Sequence, residues 1–215
     1  MTDDDGSRPD GEPYFAERPR SRPRPAELRF LYRGELLSFR VDRGVFAAHR
    51  LDPGTDLLIQ NLGVGPRDRV LDLGCGWGAV GVAAAASASE GRVILTEVNR
   101  RAAHLAEENL ARNHLTNAEV RVGPFFEPVV ADQFDTIATN PPYRVGRRHV
   151  LRILSEAPAH LAPGGRLLLV GKGSTGIRYY QAWLSDHFPG TVTVLDRASG
   201  YRVLEARRAA ASRHR

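Results

Sequence analysis

The segment Asn140-Pro141-Pro142-Tyr143, which follows an apolar run from 134 to 139, carries the clearest chemical signal of the sequence. Two consecutive prolines fix the backbone of a turn and remove two backbone donors. The side-chain oxygen of Asn140 and the carbonyl oxygen of Pro141 then form a pair of acceptors, between which a planar NH2 group fits. Tyr143 offers a ring on which a planar base can stack. The segment predicts chemistry at an exocyclic amine, with all four residues as the catalytic group.

A second motif, from Asp72 to Gly78, follows another short apolar run. Its three glycines allow the backbone to approach a ligand and to turn into a helix N-terminus. Asp72 closes the strand, where a carboxylate can hold the amino group of a ligand. Glu97 stands at the end of the next apolar run, 21 residues after Gly76, and a carboxylate there can accept both hydroxyls of a ribose. The predicted cofactor-binding residues are Asp72, Gly74, Cys75, Gly76, Gly78, Glu97, Val98 and Asn99.

The glycine motif alone fits two cofactors. Gly74-x-Gly76-x-x-Ala79 also matches a dinucleotide fingerprint, so an NAD-binding oxidoreductase is an alternative. Two observations favour S-adenosylmethionine: Asp72 lies where it suits a cationic amino acid rather than a pyrophosphate, and Gly78 follows Gly76 by two residues rather than three. A nicotinamide enzyme also has no use for the proline turn. S-adenosylmethionine is therefore the expected cofactor.

An alternation of strand and helix patterns places both motifs in one sheet. Short apolar runs at 69–73, 92–96, 119–122, 134–139 and 166–170 alternate with helical patterns at 79–88, 99–113, 150–161 and 179–187. Repeated β-α units of this kind predict a doubly wound sheet. Two further strand patterns, 191–195 and 201–205, have no helix between them, which predicts an antiparallel last strand. The expected fold class is α/β, a Rossmann-like, seven-stranded, mostly parallel sheet with an antiparallel last strand.

The N-terminal part of the chain differs from this alternation. Residues 1–26 contain five of the 14 prolines and an arginine-proline run, so we expect a disordered or extended arm. A β-hairpin is predicted over 28–41, followed by a helix over 57–62 that Thr55 or Asp52 caps. The expected organisation is the arm at 1–26, one folded domain at 27–208 and a tail at 209–215. That domain divides into the hairpin and helix at 27–62 and a core at 63–208.

Composition excludes several classes of protein. The single cysteine, Cys75, rules out an internal disulfide framework and a multi-cysteine metal site, and no metal is expected. No apolar stretch is long enough to span a bilayer and the N-terminus lacks the pattern of a secretory signal, so a cytoplasmic protein without a membrane partner is expected. Thirty Lys and Arg against 25 Asp and Glu give a net charge of +5, which permits a polyanionic partner without requiring one.

The two motifs together resemble those of class I S-adenosylmethionine-dependent methyltransferases that modify exocyclic amines. The resemblance is closer to the small-domain family related to the 16S rRNA guanine-N2 methyltransferases and their single-domain archaeal relatives. It includes Gly44-Val45-Phe46, Leu51-Asp52-Pro53-Gly54-Thr55 and Gly200-Tyr201-Arg202-Val203-Leu204. The resemblance implies a seven-stranded sheet with an antiparallel terminal hairpin. It also implies that residues 44–55 line the methyl donor or the target base, with Phe46 as a substrate-binding residue.

The chain departs from that family at two places. Gly123-Pro124-Phe125 stands where the family often has an acidic residue near the adenine, so we expect backbone donors and apolar walls to hold that ring. Tyr143 stands where the bacterial rRNA enzymes often have Phe. Tyrosine is common in relatives that act on adenine N6 or on a glutamine side chain. Guanine N2 of rRNA is the leading prediction for the substrate, with adenine N6 and protein glutamine as alternatives.

Three arginines, Arg144, Arg147 and Arg148, follow the proline turn directly. An RNA backbone must pass near that point, so we predict that they contact phosphate as part of the substrate-binding site. Ribosomal RNA or the small ribosomal subunit is the expected partner, and the sequence gives no oligomeric state. An RNA-binding module that has lost catalysis is a further alternative, against which the intact Asp72, Glu97 and Asn140 argue.

Overall fold

The computed structural model describes residues 25–42 and 51–211. Phe46, the tail beyond 211 and all but the last two residues of the predicted arm lie outside these ranges. Within them, no helix has the length and apolar character needed to cross a membrane. Two strands, β1 (Pro25–Tyr32) and β2 (Glu35–Asp42), form the predicted N-terminal hairpin as a separate two-stranded sheet, in which Tyr32 pairs with Glu35 beside the turn.

The remaining strands of the described residues form one seven-stranded sheet, in the order β5-β4-β3-β6-β7-β9-β8. The five strands β3 to β7 run parallel, while β9 is antiparallel to both β7 and β8. This confirms the predicted α/β, Rossmann-like sheet with its antiparallel last strand. The strands are β3 (Arg69–Leu73), β4 (Arg92–Glu97), β5 (Ala118–Val122), β6 (Phe134–Thr139), β7 (Leu161–Lys172), β8 (Gly190–Ala198) and β9 (Tyr201–Arg208).

Five α-helices of the described residues cover the two faces of this sheet. Side chains that alternate along a strand point to opposite faces; in β4, Val93 and Leu95 pack on one face and Ile94 on the other. The first face carries the hairpin and the first three helices, and the second face carries the last two. The helices are α1 (Pro53–Gln60), α2 (Ala79–Ser87), α3 (Arg100–Arg112), α4 (Arg147–His160) and α5 (Ile177–His187).

Several element boundaries differ from the sequence prediction, and the starts of α1, α4 and β7 are the ones near the predicted site. Helix α1 begins at Pro53 rather than at 57, because Asp52 accepts a hydrogen bond from Thr55 N and proline is favoured in the first helical turn. Helix α4 begins three residues earlier than predicted and accommodates Pro158. Strand β7 begins at Leu161 rather than at 166, because this residue already pairs with Phe134, although the register between the two strands then shifts.

Two asparagine side chains join the hairpin to helix α3. Each bonds the backbone N–H and C=O of one residue of β2, as a neighbouring strand would. Asn109 Oδ1 accepts from Arg40 N at 2.6 Å, and its Nδ2 donates to Arg40 O at 2.9 Å. Asn113 makes the same pair of bonds with Ser38, at 3.0 and 2.8 Å. Asn109 Nδ2 also donates to Trp77 O at 2.8 Å. The hairpin is therefore tied to the glycine turn that follows β3.

Candidate active site

The glycine turn between β3 and α2 is held by the backbone of β4. Gly74 N and Cys75 N both donate to Thr96 O, at 2.9 and 3.0 Å. Gly74, Gly76 and Gly78 have φ angles of 75°, 56° and 89°, a region in which a side chain is strained. The glycines are thus required by the shape of the turn itself. Burial raises the pKa of the Cys75 thiol well above its ordinary value, so the thiol remains protonated.

Glu97 lies at the carboxyl end of β4 and contacts the glycine turn, as its spacing predicted. Its Oε2 accepts from Gly76 N at 2.9 Å and its Oε1 accepts from Asn99 N at 2.9 Å. Asn99 caps α3 by accepting from Arg101 N and Ala102 N. Burial raises the pKa of Glu97, and the backbone hydrogen bonds partly oppose the rise. Both carboxylate oxygens are oriented by the backbone, and each retains a lone pair for a ligand hydroxyl.

Asp72 is almost completely buried near the end of β3, with 2% of its surface exposed. Its Oδ2 accepts from Gly81 N in α2 at 2.7 Å. Burial raises the pKa of Asp72 from its ordinary 3.8 to about 7; the Gly81 hydrogen bond opposes the rise and the charge of Glu97 adds to it. A cationic group beside this carboxylate would stabilise its ionised form. The site therefore suits a positively charged partner.

A cavity of about 250 Å³ opens beside Glu97 at the carboxyl edge of the sheet. Thr96 is one of the residues around it, and its buried hydroxyl has no hydrogen-bond partner among the described residues. The cavity is lined by Leu73, Gly74, Thr96, Glu97, Val98, Gly123, Pro124, Phe125, Pro142, Val145, His149 and Ile153.

The cavity brings together only part of the predicted set. Of the predicted cofactor-binding residues, Gly74, Glu97 and Val98 line it, and Pro142 joins them from the proline turn. Asp72, Cys75, Gly76, Gly78 and Asn99 are not in its walls. Residues 123–125 line it, where the sequence predicted the adenine ring. Thr96 and His149 line the cavity without having been predicted, because Thr96 reads as one more strand residue and His149 shows no ligand spacing in the sequence.

Asn140 is anchored by two acceptors from the start of α1. Its Nδ2 donates to Asp52 Oδ2 at 3.1 Å and to Thr55 Oγ1 at 2.9 Å. With the amide nitrogen engaged in this way, Oδ1 is the atom of the side chain that can accept from a substrate. The other predicted acceptor, Pro141 O, already accepts from Tyr143 N at 2.9 Å and retains its second lone pair. Both predicted acceptor atoms thus keep a lone pair for a ligand, and their joint action on one NH2 group stays a prediction.

Tyr143 is fixed against strand β7. Its hydroxyl donates to Val170 O at 2.7 Å, and its ring lies 5.7 Å from that of Tyr180. A side chain at Gly171 would clash with the tyrosine, since a Cβ there would lie 2.3 Å from the hydroxyl oxygen. Burial raises the pKa of Tyr143 well above its ordinary value, so the hydroxyl remains protonated. The hydroxyl is structural, and base stacking on the ring stays a prediction.

The three arginines after the proline turn lie exposed around the start of α4. The Arg147 guanidinium lies 4.5 Å from the centre of the Tyr179 ring. No ion pair joins Arg144, Arg147 or Arg148 to a carboxylate of the described residues. These cations are therefore available to an anionic partner. Across 25–42 and 51–211, no group of three or more His, Cys, Asp or Glu side chains is arranged to hold a metal ion.

Comparison with known proteins agrees with this geometry. A family model described as "Methyltransferase small domain" matches residues 36–205. A Bacillus subtilis protein named uncharacterized protein YbxB is 30% identical over 199 residues, which cover 92% of this chain and 98% of that protein. Ribosomal RNA small subunit methyltransferase C of Pasteurella multocida is 35% identical over 168 residues, which cover 76% of this chain and 49% of that protein.

A solved structure extends the similarity to three dimensions. A T. thermophilus 16S rRNA N2 guanine methyltransferase, in complex with AdoMet and guanosine, superposes with a TM-score of 0.74 and 31% identity. The match covers 87% of this chain and 51% of that one. The chain thus spans about half the length of the named methyltransferases it matches, 49% and 51%, and nearly the whole of YbxB.

Proposed function

Because the chain belongs to the methyltransferase small domain family, a family of S-adenosylmethionine-dependent enzymes, we propose that it transfers a methyl group to an exocyclic amine, guanine N2 of small-subunit ribosomal RNA. The observation that carries the proposal is the anchored amide of Asn140. Its nitrogen is held by Asp52 and Thr55, so its oxygen is the acceptor that an NH2 group meets.

The residues beside the glycine turn fit S-adenosylmethionine. Asp72 suits the amino group of its methionine part, because a cation there relieves the cost of a buried carboxylate. Glu97 suits the ribose hydroxyls, since both of its oxygens are oriented by backbone donors. The cavity wall of residues 123–125 suits an adenine ring. When bound, this cofactor supplies a methyl group that its sulfonium has already activated.

The work left to the protein is positioning and charge stabilisation. An exocyclic NH2 is a weak nucleophile because its lone pair is delocalised into the ring. Asn140 Oδ1 and Pro141 O accept its two hydrogens, which aligns the nitrogen and stabilises the positive charge that grows on it during transfer. No strong general base is required, because the methylated product loses its proton readily. This mechanism needs oriented oxygens and makes no use of a His or Lys as a general base.

The choice of guanine in RNA rests on three supports. Two named relatives act on small-subunit rRNA, and one of them, 31% identical, was solved with guanosine. The second support is the row of exposed arginines beside Asn140, which matches the charge of an RNA backbone. The third supports an exocyclic amine without selecting guanine, because such an amine presents two hydrogens to two acceptors. Adenine N6 and a glutamine amide present the same pair, so the substrate must be tested directly.

Transfer of tritiated methyl groups is the decisive experiment. We expect incorporation from labelled S-adenosylmethionine into small ribosomal subunits or naked 16S rRNA, and nuclease digestion should release N2-methylguanosine. Release factor, as a source of a protein glutamine, and an RNA rich in unpaired adenine serve as competing acceptors. Incorporation only into protein, or N6-methyladenosine in the digest, would replace the proposed substrate by one of the alternatives.

A further inference from the structure

The contact between Asn140 and the start of α1 joins residues that are 85 and 88 positions apart in the chain. Three hydrogen bonds join these side chains, and they lead from Asn140 to the Asp52 carboxylate. Asn140 Nδ2 donates to Thr55 Oγ1, the Thr55 hydroxyl donates to Asp52 Oδ2 at 3.4 Å, and Asn140 Nδ2 donates to that same carboxylate oxygen. The chain of bonds ends on a carboxylate, which can only accept.

We propose that Asp52 and Thr55 are positioning residues for methyl transfer, which lock the amide of Asn140 with its oxygen toward the target amine. The inference rests on the proposed function, because it names what keeps the acceptor of that reaction in place. Neither residue needs to touch the substrate. They act through Asn140 alone.

The fixed orientation of the Asn140 amide follows from the kinds of hydrogen-bonding groups around it. An asparagine amide rotates easily about its last torsion, and both of its ends can bind a substrate. If the amide of Asn140 turned over, its oxygen would face the Asp52 carboxylate, and two acceptors would meet without a hydrogen between them. In the observed orientation both hydrogens of Nδ2 are satisfied. A substrate NH2 group, which brings donors, therefore always meets an oxygen and never a competing NH2.

The two anchoring residues are themselves held by the cap of α1 and by β9. Asp52 Oδ2 accepts from Thr55 N at 3.0 Å, which fixes both side chains at the helix start. The Tyr201 hydroxyl donates to Asp52 Oδ1 at 3.4 Å. The ring of the same tyrosine covers Gly54, where a Cβ would lie 2.6 Å from a ring carbon. A short helix on one side and the antiparallel strand on the other thus set the direction of the catalytic amide.

A double-mutant cycle between Thr55 and Asn140 tests the inference. Thr55→Val removes the hydroxyl acceptor in a side chain of nearly the same shape, and we expect turnover to fall about tenfold, the effect of one hydrogen bond. Thr55→Ser should restore it. The decisive expectation is that Thr55→Val changes turnover by less than about twofold in an Asn140→Ala background, since the residue acts only through that amide. An equal loss in both backgrounds would show a general structural role and overturn the inference.

Two further variants keep the test independent of folding. Asp52→Asn retains a good helix cap while weakening the charge-assisted bond to Asn140, so turnover should fall with an unchanged Tm and an unchanged KM for S-adenosylmethionine. Asp68→Asn is the matched control, because Asp68 also caps a turn, by accepting from Gly65 N at 2.9 Å, but at the opposite end of β3. Its turnover should equal that of the wild type. Equal turnover in Asp52→Asn, Thr55→Val and wild type would refute the inference.

A measurement on the ligand-free protein separates this inference from the proposed function. The side-chain amide signals of Asn140 can be identified in an NMR spectrum by their absence from Asn140→Ala. We expect their hydrogens to exchange slowly with water in the wild type and rapidly in Thr55→Val. Rapid exchange already in the wild type would disprove the lock whatever the substrate is. A wild-type protein with the slow signals but no methyl transfer to RNA would instead count against the proposed function.

Discussion

At the scale of single residues, one oxygen atom of Asn140 carries the proposed stabilisation of the transition state. Asn140→Ala removes it, and we expect turnover to fall about 10²-fold, as for other single groups that stabilise developing charge. Binding of S-adenosylmethionine should change little, because the Asn140 side chain is bonded to Asp52 and Thr55 and its oxygen is assigned to the substrate amine. Steady-state kinetics together with calorimetry of cofactor binding measure both quantities.

The matched control for that variant is Asn61→Ala. Asn61 also uses its amide nitrogen for two hydrogen bonds, to Leu57 O and to Asp196 Oδ2, both at 2.9 Å, but at the far end of α1. It should lose some stability and keep its turnover. Near-normal turnover in Asn140→Ala would contradict the assigned role of the proline turn.

Asp72 gives a prediction about pH. Its pKa in the folded protein is about 7, against an ordinary 3.8, so the folded state holds this proton more tightly than the unfolded chain. Between these two values the unfolded state binds fewer protons, and the free energy of unfolding therefore falls as the pH rises from about 4 to about 7. The difference corresponds to about 4 kcal/mol. Above pH 7 the contribution is constant.

Urea unfolding of the ligand-free protein across that pH range measures the effect. In Asp72→Asn the free energy of unfolding should fall less steeply with pH, because position 72 no longer titrates. A part of the pH dependence should remain, because the pKa of Glu97 is also raised. The same variant should bind S-adenosylmethionine more weakly, since the amide does not attract the cofactor's amino group as a carboxylate does. An unchanged pH dependence in Asp72→Asn would show that the group is not the buried acid inferred from its surroundings.

At the scale of elements, helix α3 holds the N-terminal hairpin and the glycine turn together through Asn109. The side chain is fully buried and makes hydrogen bonds to Arg40 and Trp77. Asn109→Ala leaves these three backbone groups without partners, and we expect a loss of about 2–4 kcal/mol in unfolding free energy. Chemical denaturation measures it, with Glu107→Ala, an exposed position of the same helix, as the control. A loss below about 1 kcal/mol would mean that the hairpin docks by other contacts.

The elements also show what the sequence can predict. The meeting of Gly76 with Glu97 was predictable, because consecutive parallel strands bring their carboxyl ends to one edge and the spacing is fixed by one β-α-β unit. The antiparallel β9 was predictable from two strand patterns without a helix between them. In both cases the order of strand and helix patterns along the chain determines which strands are neighbours in the sheet.

Contacts between elements that are far apart in the chain could not be predicted from these patterns. The residues 51–55 were expected near the donor or the base only from the family resemblance, and their bonds to Asn140 depend on how α1 packs against β7 and β9. Thr96 is another case, since a strand pattern does not show that this residue lines the cavity. Hydrophobic periodicity reports which face of an element is buried, and it carries no information on the polar partner across the chain.

At the scale of the whole molecule, positive charge collects along the carboxyl edge of the sheet, where the proline turn lies. Beyond Arg144, Arg147 and Arg148, strands β8 and β9 set Arg197 directly opposite Arg202. Burial is the main cause that lowers the pKa of Arg202, and the positive charges of Arg197 and Arg178 lower it further. Like charges paired across a ladder are unfavourable in an isolated sheet. A polyanion bound along this edge would relieve that repulsion, in agreement with an RNA substrate.

Removal of Arg178, Arg197 and Arg202 together tests this reading of the charge. Replacement of all three by Ala should weaken binding to 16S rRNA and reduce the slope of log affinity against log salt by about 2, because each lost phosphate contact contributes about 0.7 to 0.9. The control with the same net charge replaces Arg67, Arg69 and Arg92, which pair with carboxylates at the opposite edge of the sheet. Equal slopes in the two triple variants would mean that net charge, rather than its placement beside the proline turn, governs binding to RNA.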